Sequence, residues 1–397
     1  MKDIFFFLKK FGFINFLIVG LTFTNILELG FLFGYAAIGL ILLKKNVFKS
    51  ELDLTFFLLF TFSISYSLFY FTNPWKGLQY FLIYMLSPAA FYLWGKQIPK
   101  SLYHDRQIIT IVMFIGVIYS LPALISVMLN ILEGGFAQHE RSIAMFWGGP
   151  RISATGMAQF FMFNICIPGI FFSLTKRMNK ILILFFAIIF VLSLACVLRV
   201  GSRTLLGIMM FSLVFSIIFV SPKLSFKQLV VRFGFLLVLV FFIIQNVSFD
   251  FDSEIFTTFA SRMEEGGTEE LAGGGGRVDK WEKSFHHMKI YPNGWSLDRF
   301  GYSHNLWLDT FRVGGFVSFF LLIVFTLRFL ATLFSFFRSS QIIKSVRLIF
   351  TLYCISFLLI FMVEPGIDGN YSLFILFCLF SGILQSCYTA QENAVHR

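Results

Sequence analysis

The chain has 397 residues, of which 57% are hydrophobic and only 13% charged, and its mean hydropathy is +0.81. Soluble domains carry about 25% charged residues, so this composition excludes a water-soluble globule. The repeated apolar runs have the ~20-residue length that a helix needs to cross hydrocarbon, which argues against barrel strands. The expected fold class is therefore all-α, a polytopic membrane protein.

In chain order, apolar runs at 11–28, 29–43, 53–72, 77–95, 107–130, 153–175, 180–198, 204–221, 228–247, 306–334, 345–363 and 370–388 predict about twelve transmembrane helices. Nine precede residue 247, three follow 306, and a long polar loop fills 248–305. Lys9 and Lys10 precede the first run as in a leader peptide, but the run passes into Glu28 without a small-residue cleavage site, so it reads as a retained helix. The cysteines Cys166, Cys196, Cys354, Cys378 and Cys387 all fall in apolar runs. None has metal-ligand spacing, and neither a metal nor another cofactor is expected.

Orientation follows from the basic residues, because short loops rich in Lys and Arg stay in the cytoplasm. With the N-terminus inside, 20 of the 32 basic residues fall in cytoplasmic segments and only five in short outer loops. Both termini are then cytoplasmic, and the long loop lies in the periplasm or cell exterior. The net charge of +11 reads as an orienting charge at anionic lipid, and no nucleic-acid partner is expected.

The five outer exceptions, Lys76, Arg141, Arg151, Arg199 and Arg203, are informative because the orientation rule works against them. Arg199-Val-Gly-Ser-Arg203 places two cations four residues apart, which one helical turn would bring to one face. An arginine at membrane depth is costly and usually faces protein or a water-filled cavity; snorkelling to headgroups is the bland alternative.

In the long loop, Glu264, Glu265, Glu269 and Glu270 precede Gly273–Gly276 without a metal-binding pattern. Val278, Trp281, Phe285 and Met288, spaced by three and four, then predict an amphipathic helix over 277–290 lying on the outer membrane surface and ended by Pro292. Arg277 begins it, where a guanidinium could bind phosphate through two parallel hydrogen bonds. His304-Asn305 opens the tenth span. A neutral imidazole there is a candidate general base, against the alternative of a capping histidine. Glu364, at the last outer loop before Asp368, is a candidate for orienting that histidine or for binding sugar hydroxyls, with Asn305 as a further supporting residue.

These residues resemble the O-antigen polymerase and O-antigen ligase superfamily of bacterial membrane glycosyltransferases. Gly201-Ser202-Arg203-Thr204 is similar to its Ser-Arg motif. Gly276-Arg277 with Trp281 and Pro292-Asn293-Gly294 follow its Gly-Arg, Trp, Pro-x-Gly succession, and His304-Asn305 with Gly314-Gly315 is similar to its His-Asn helix start. Arg151-Ile-Ser-Ala-Thr-Gly156 resembles a further arginine stretch but lacks the asparagine expected after it. The resemblance implies a metal-independent, inverting transfer of a glycan from undecaprenyl diphosphate to a sugar hydroxyl at the outer face of the bacterial inner membrane. It implies His304 as base and Arg203, Arg277, Arg199 and Arg151 as diphosphate ligands, with Arg203, Arg277 and His304 expected on one outer cavity. The implied partners are lipid-linked donor and acceptor glycans, membrane lipids and a chain-length regulator. Polymerase is the preferred reading, ligase the alternative, and a lipid-linked oligosaccharide flippase a third reading that the scarcity of charge within the spans disfavours.

Overall fold

The computed structural model describes residues 2–44, 47, 51–102, 107–136, 138, 140–174, 179–220 and 276–395. The expected ninth span at 228–247 and the expected loop from 248 to 275 lie outside the described residues. The chain divides into two compact units, one of Met1–Tyr119 with Ala272–Arg397 and one of Ser120–Leu271.

Among the described residues the first unit is helical throughout. It holds α1 (Lys2–Phe11), α2 (Phe13–Thr24), α3 (Gly30–Leu42), α4 (Leu54–Thr72), α5 (Gln79–Lys100) and the start of α6 (Gln107–Gly134). After the second unit come α11 (Arg277–Ile290), α12 (Leu306–Arg338), α13 (Lys344–Val363), the single turn α14 (Gly366–Gly369) and α15 (Tyr371–Val395). The second unit contains the remainder of α6, a hairpin of β1 (Ile143–Met145) and β2 (Gly148–Ile152), and α7 (Ala154–Ala158), α8 (Ile167–Leu174), α9 (Lys180–Val200) and α10 (Arg203–Val220).

Among the described residues, seven helices are long and apolar enough to cross a membrane: α4, α6, α9, α10, α12, α13 and most of α15. The chain is thus a nearly all-α membrane protein, as composition required, but the helix count differs from the expected twelve for identifiable reasons. The runs at 11–28 and 29–43 form helices of only 12 and 13 residues, because Asn25, Leu27 and Glu28 adopt left-handed backbone between them. The run at 153–175 is a pair of helical pieces bent by 50°, and the helices would number eight if that pair were one span. The run at 77–95 is helical as α5, which is too polar overall to join the seven.

In the first unit α5 lies against α15 and α4, and α4 packs on α12. Their buried faces are aromatic: Tyr84 makes edge-to-face contacts with Tyr66, Tyr70 and Tyr371, with ring centroids 4.6–5.6 Å apart. Several polar groups in this core are paired, as burial favours, whereas the Tyr84 hydroxyl has no hydrogen-bond partner among the described residues. Trp94 Nε1 donates to the Ala37 carbonyl at 3.0 Å, and Lys96 Nζ lies 2.7 Å from Asp53 Oδ2. Asp53 also caps α4 by accepting the Phe56 N–H.

The hairpin departs from an all-α expectation. Ile143 pairs with Ile152 and Met145 with Gly148 in antiparallel register. Ile143 and Met145 are buried, and Ser126 of α6 accepts the Phe146 N–H at 2.9 Å. A strand of three residues is too short to signal itself by alternation.

Candidate functional site

The site in the first unit begins with a break in α12. Gly315 has φ +62° and ψ −167°, a combination essentially reserved for glycine. The break frees an acceptor and a donor from the helix ladder. The Arg312 carbonyl accepts from Trp295 N at 2.9 Å, and Phe316 N donates to the Pro292 carbonyl at 2.8 Å. The Pro292–Trp295 turn is thereby stitched to α12, and there is no room for a side chain between them. A Cβ on Gly315 would meet Asn293 Cα and Pro292 O at 2.9 Å, and one on Gly294 would collide with the Arg312 carbonyl. The Pro-x-Gly and Gly-Gly pieces of the sequence are two halves of one joint.

That joint fixes α11 and the 301–305 segment beside the start of α12. The α11 boundaries match the expected 277–290, but its apolar stripe does not face the protein: Val278 and Phe285 are exposed, and the buried residue is Ser284. The expected surface-lying helix is compatible with this, since the exposed apolar side chains suit lipid. Ser284 Oγ shares a hydrogen bond of 2.6 Å with Ser303 Oγ, tying the middle of α11 to the residue before His304.

His304 stands one residue outside α12, with φ +53°. This left-handed backbone is uncommon for a residue with a Cβ, and Asp309 holds it. Asp309 Oδ1 accepts the Ser303 N–H at 2.8 Å and Oδ2 accepts the Asn305 N–H at 3.1 Å, so the N–H groups of both residues flanking His304 are anchored on one buried carboxylate. Asn305 is the N-cap. Its Oδ1 accepts from Trp307 N and Leu308 N, and its Nδ2 donates to the Met362 carbonyl. Asn305 thus caps α12 and ties it to α13.

Glu364, just after α13, is 5% exposed and joins the two expected active groups. Its Oε1 accepts from Arg277 Nη2 at 2.9 Å, and its Oε2 lies 3.6 Å from His304 Nδ1. Nδ1 thus faces the carboxylate from beyond hydrogen-bond distance, and it is buried without a hydrogen-bond partner among the described residues.

Behind His304 is a buried charge cluster that sequence reasoning passed over. Arg312 pairs with Asp368, its Nε lies 3.7 Å from Asp309 Oδ1, and Tyr66 Oη donates to Asp368 Oδ1 at 2.8 Å. Lys76 Nζ donates to the Asp368 carbonyl at 2.6 Å. Burial pushes the Asp368 carboxyl above its ordinary value, opposed by Arg312 and Lys76; burial likewise lowers Lys76. Arg312 and Asp309 were hidden inside an apolar run whose first turn looked like the start of an ordinary span. Their i, i+3 spacing was the available signal.

The remaining arginines belong to the second unit. Arg199 and Arg203 do not share a helical turn as expected: Gly201 takes left-handed φ +64° as the C-cap of α9, and α10 starts anew at Arg203. Arg199 is fully buried, with Nε donating to Asn130 Oδ1 at 3.0 Å and Nη2 to the Glu140 carbonyl at 2.9 Å. Arg141 donates to the Val200 carbonyl at the end of α9. Arg151 is exposed on β2 and pairs with Glu140. Arg203 Nη1, like Arg199 Nη1, is buried without a hydrogen-bond partner among the described residues. The described His, Cys, Asp and Glu side chains form no group of three able to hold a metal.

Compared with known proteins, the chain matches no family model and no curated protein. What the fold and these sites define is a class, a helical membrane protein with an Arg277–Glu364–His304 constellation where a buried charge cluster meets a broken helix.

Proposed function

We propose that the protein is a membrane glycosyltransferase of the O-antigen polymerase kind, joining undecaprenyl-diphosphate-linked repeat units at the outer face of the bacterial inner membrane, with both termini in the cytoplasm. The observation that carries the reading is the Glu364 carboxylate placed between Arg277 and His304. In the proposed step an acceptor hydroxyl oxygen attacks the anomeric carbon of the donor glycan. His304 Nε2 takes the hydroxyl proton, and the bond from that carbon to the phosphate oxygen breaks. Undecaprenyl diphosphate leaves with the electron pair, and the anomeric centre inverts. Fixed guanidinium groups stabilise the charge that develops on the leaving group, which is the role proposed for Arg277 and Arg203. A chain-length regulator is the proposed protein partner.

The test is a lipopolysaccharide gel from a deletion strain. Loss of a polymerase leaves lipid A-core carrying a single repeat unit, and plasmid-borne wild-type protein restores the ladder. Bare core with polymer retained on undecaprenyl diphosphate assigns the ligase activity instead, and an unchanged ladder overturns the glycosyltransferase reading.

A further inference from the structure

A cavity of about 510 Å³ opens beside the joint between the Pro292–Trp295 turn and α12, within the first unit. The size lies in the range of small-molecule sites, about 300–1,000 Å³. Its walls combine aromatic rings, Trp75 and Trp295, with the polar side chains of Asn73, Asn293, Asp298 and Arg312. Trp75 is 39% exposed and is held by an edge contact with Tyr70, its ring centroid 5.8 Å from the Arg312 guanidinium carbon. Trp295 is packed against Phe311 and Phe300 and is nearly buried. The two indoles thus supply aromatic walls held by ring contacts.

The chemistry of the lining selects a ligand class. Indole surface packs against the C–H faces of a pyranose ring, and side-chain amides offer both donors and acceptors to hydroxyls. The Asn73 and Asn293 amides make no side-chain hydrogen bond with other described residues, so both are available to a ligand. A phosphate would meet the wrong field here. The Arg312 charge is matched by Asp368 and Asp309, and Asp298 adds a carboxylate to the wall. A neutral polyol suits this balance, whereas a diphosphate does not.

Two intervening side chains separate the cavity from His304. The Arg312 guanidinium, part of its wall, lies 5.5 Å from the Tyr302 ring, and Tyr302 in turn lies 6.3 Å from the His304 ring. We propose that this cavity is a saccharide subsite binding an uncharged sugar residue of the glycan, on the acceptor side of the reaction. Naming the sugar as the acceptor rests on the glycosyltransferase reading; sugar binding by the cavity does not.

The experiment is saturation-transfer NMR on the full chain in nanodiscs with a mixture of methyl glucoside, methyl galactoside and methyl N-acetylglucosaminide. Expected is transfer to the ring protons of at least one glycoside, reduced at least fivefold by Trp75→Ala and by Asn73→Ala with Asn293→Ala, and undisturbed by equimolar pyrophosphate. The paired asparagine variant alters only exposed amides, so it carries the test if Trp75→Ala fails to fold. No transfer, transfer unchanged in the asparagine variant, or displacement by pyrophosphate overturns the proposal. The glycosyltransferase reading fails separately, through an unchanged glycan ladder in a His304→Ala strain, and that result leaves sugar binding standing.

Discussion

Glu364 places Oε2 3.6 Å from Nδ1 of His304 while Oε1 is held by Arg277. One carboxylate therefore faces both an imidazole and a guanidinium, and under the proposed function the three residues are expected to act together rather than additively. Removing a general base costs about 10²–10⁴-fold in rate, which sets the expectation for His304→Ala. Glu364→Gln lowers the rate less, because it leaves the imidazole in place without its orienting charge. In the variant carrying both changes, glycan transfer falls no further than in His304→Ala alone. Additive losses in that double variant would show that Glu364 acts on something other than His304.

Asp309 positions His304 from beneath, through the Ser303 and Asn305 N–H groups. Asp309→Ala strands two buried donors, each worth about 1–3 kcal/mol. Lower thermal stability in detergent and loss of transfer are expected together, with Asp309→Asn intermediate because it retains one acceptor oxygen. His304→Gly offers a control. It accepts the φ of +53° without strain, so this variant is expected to lose activity while unfolding at or above the temperature of His304→Ala.

The break in α12 gives a prediction of opposite sign from helix propensity. In a continuous helix, Gly315→Ala would stabilise by about 1 kcal/mol. Here the alanine would require a backbone region costing about 1–3 kcal/mol, and its Cβ would press on Pro292 O and Asn293 Cα at 2.9 Å. Destabilisation, measured by thermal unfolding, is the expected result; stabilisation would mean that the Pro292–Trp295 turn does not dock there.

Much of this site was legible in the sequence. Arg277, His304 and Glu364 stood out because polar groups in an apolar chain are costly, and the α11 limits followed from periodicity and Pro292. What escaped were groups whose partners are far away in sequence. Asp309 and Arg312 sit inside a run that reads as hydrocarbon, and the close ion-pair partner that helps explain the arginine's burial, Asp368, comes 56 residues after it. The described residues give fewer spans than expected where hydropathy sees no backbone, at the left-handed Asn25 and Leu27 and at the bend within 153–175, and the expected span at 228–247 lies outside them. The pairing expected of Arg199 and Arg203 failed for a related reason, since a Gly-Ser junction was treated as continuous helix.

The four arginines expected to bind diphosphate are predicted to separate in their responses. Arg151 is exposed and pairs with Glu140 at the surface, where an ion pair contributes about 0–1 kcal/mol, so Arg151→Ala leaves stability and glycan length near wild type. Arg199 donates inside the second unit to Asn130 and Glu140, so Arg199→Ala lowers the folded yield before any effect on chemistry can be read. Arg277 and Arg203 are the pair expected to act on phosphate. At both positions lysine fails to rescue, because a point charge does not reproduce two parallel hydrogen bonds to phosphate oxygens. The measurement is glycan ladder length at matched membrane expression for the alanine and lysine variants at each position. Full-length ladder from Arg203→Lys would reduce Arg203 to a source of charge, and a loss at Arg151 as deep as at Arg203 would place the phosphate contacts on the hairpin instead.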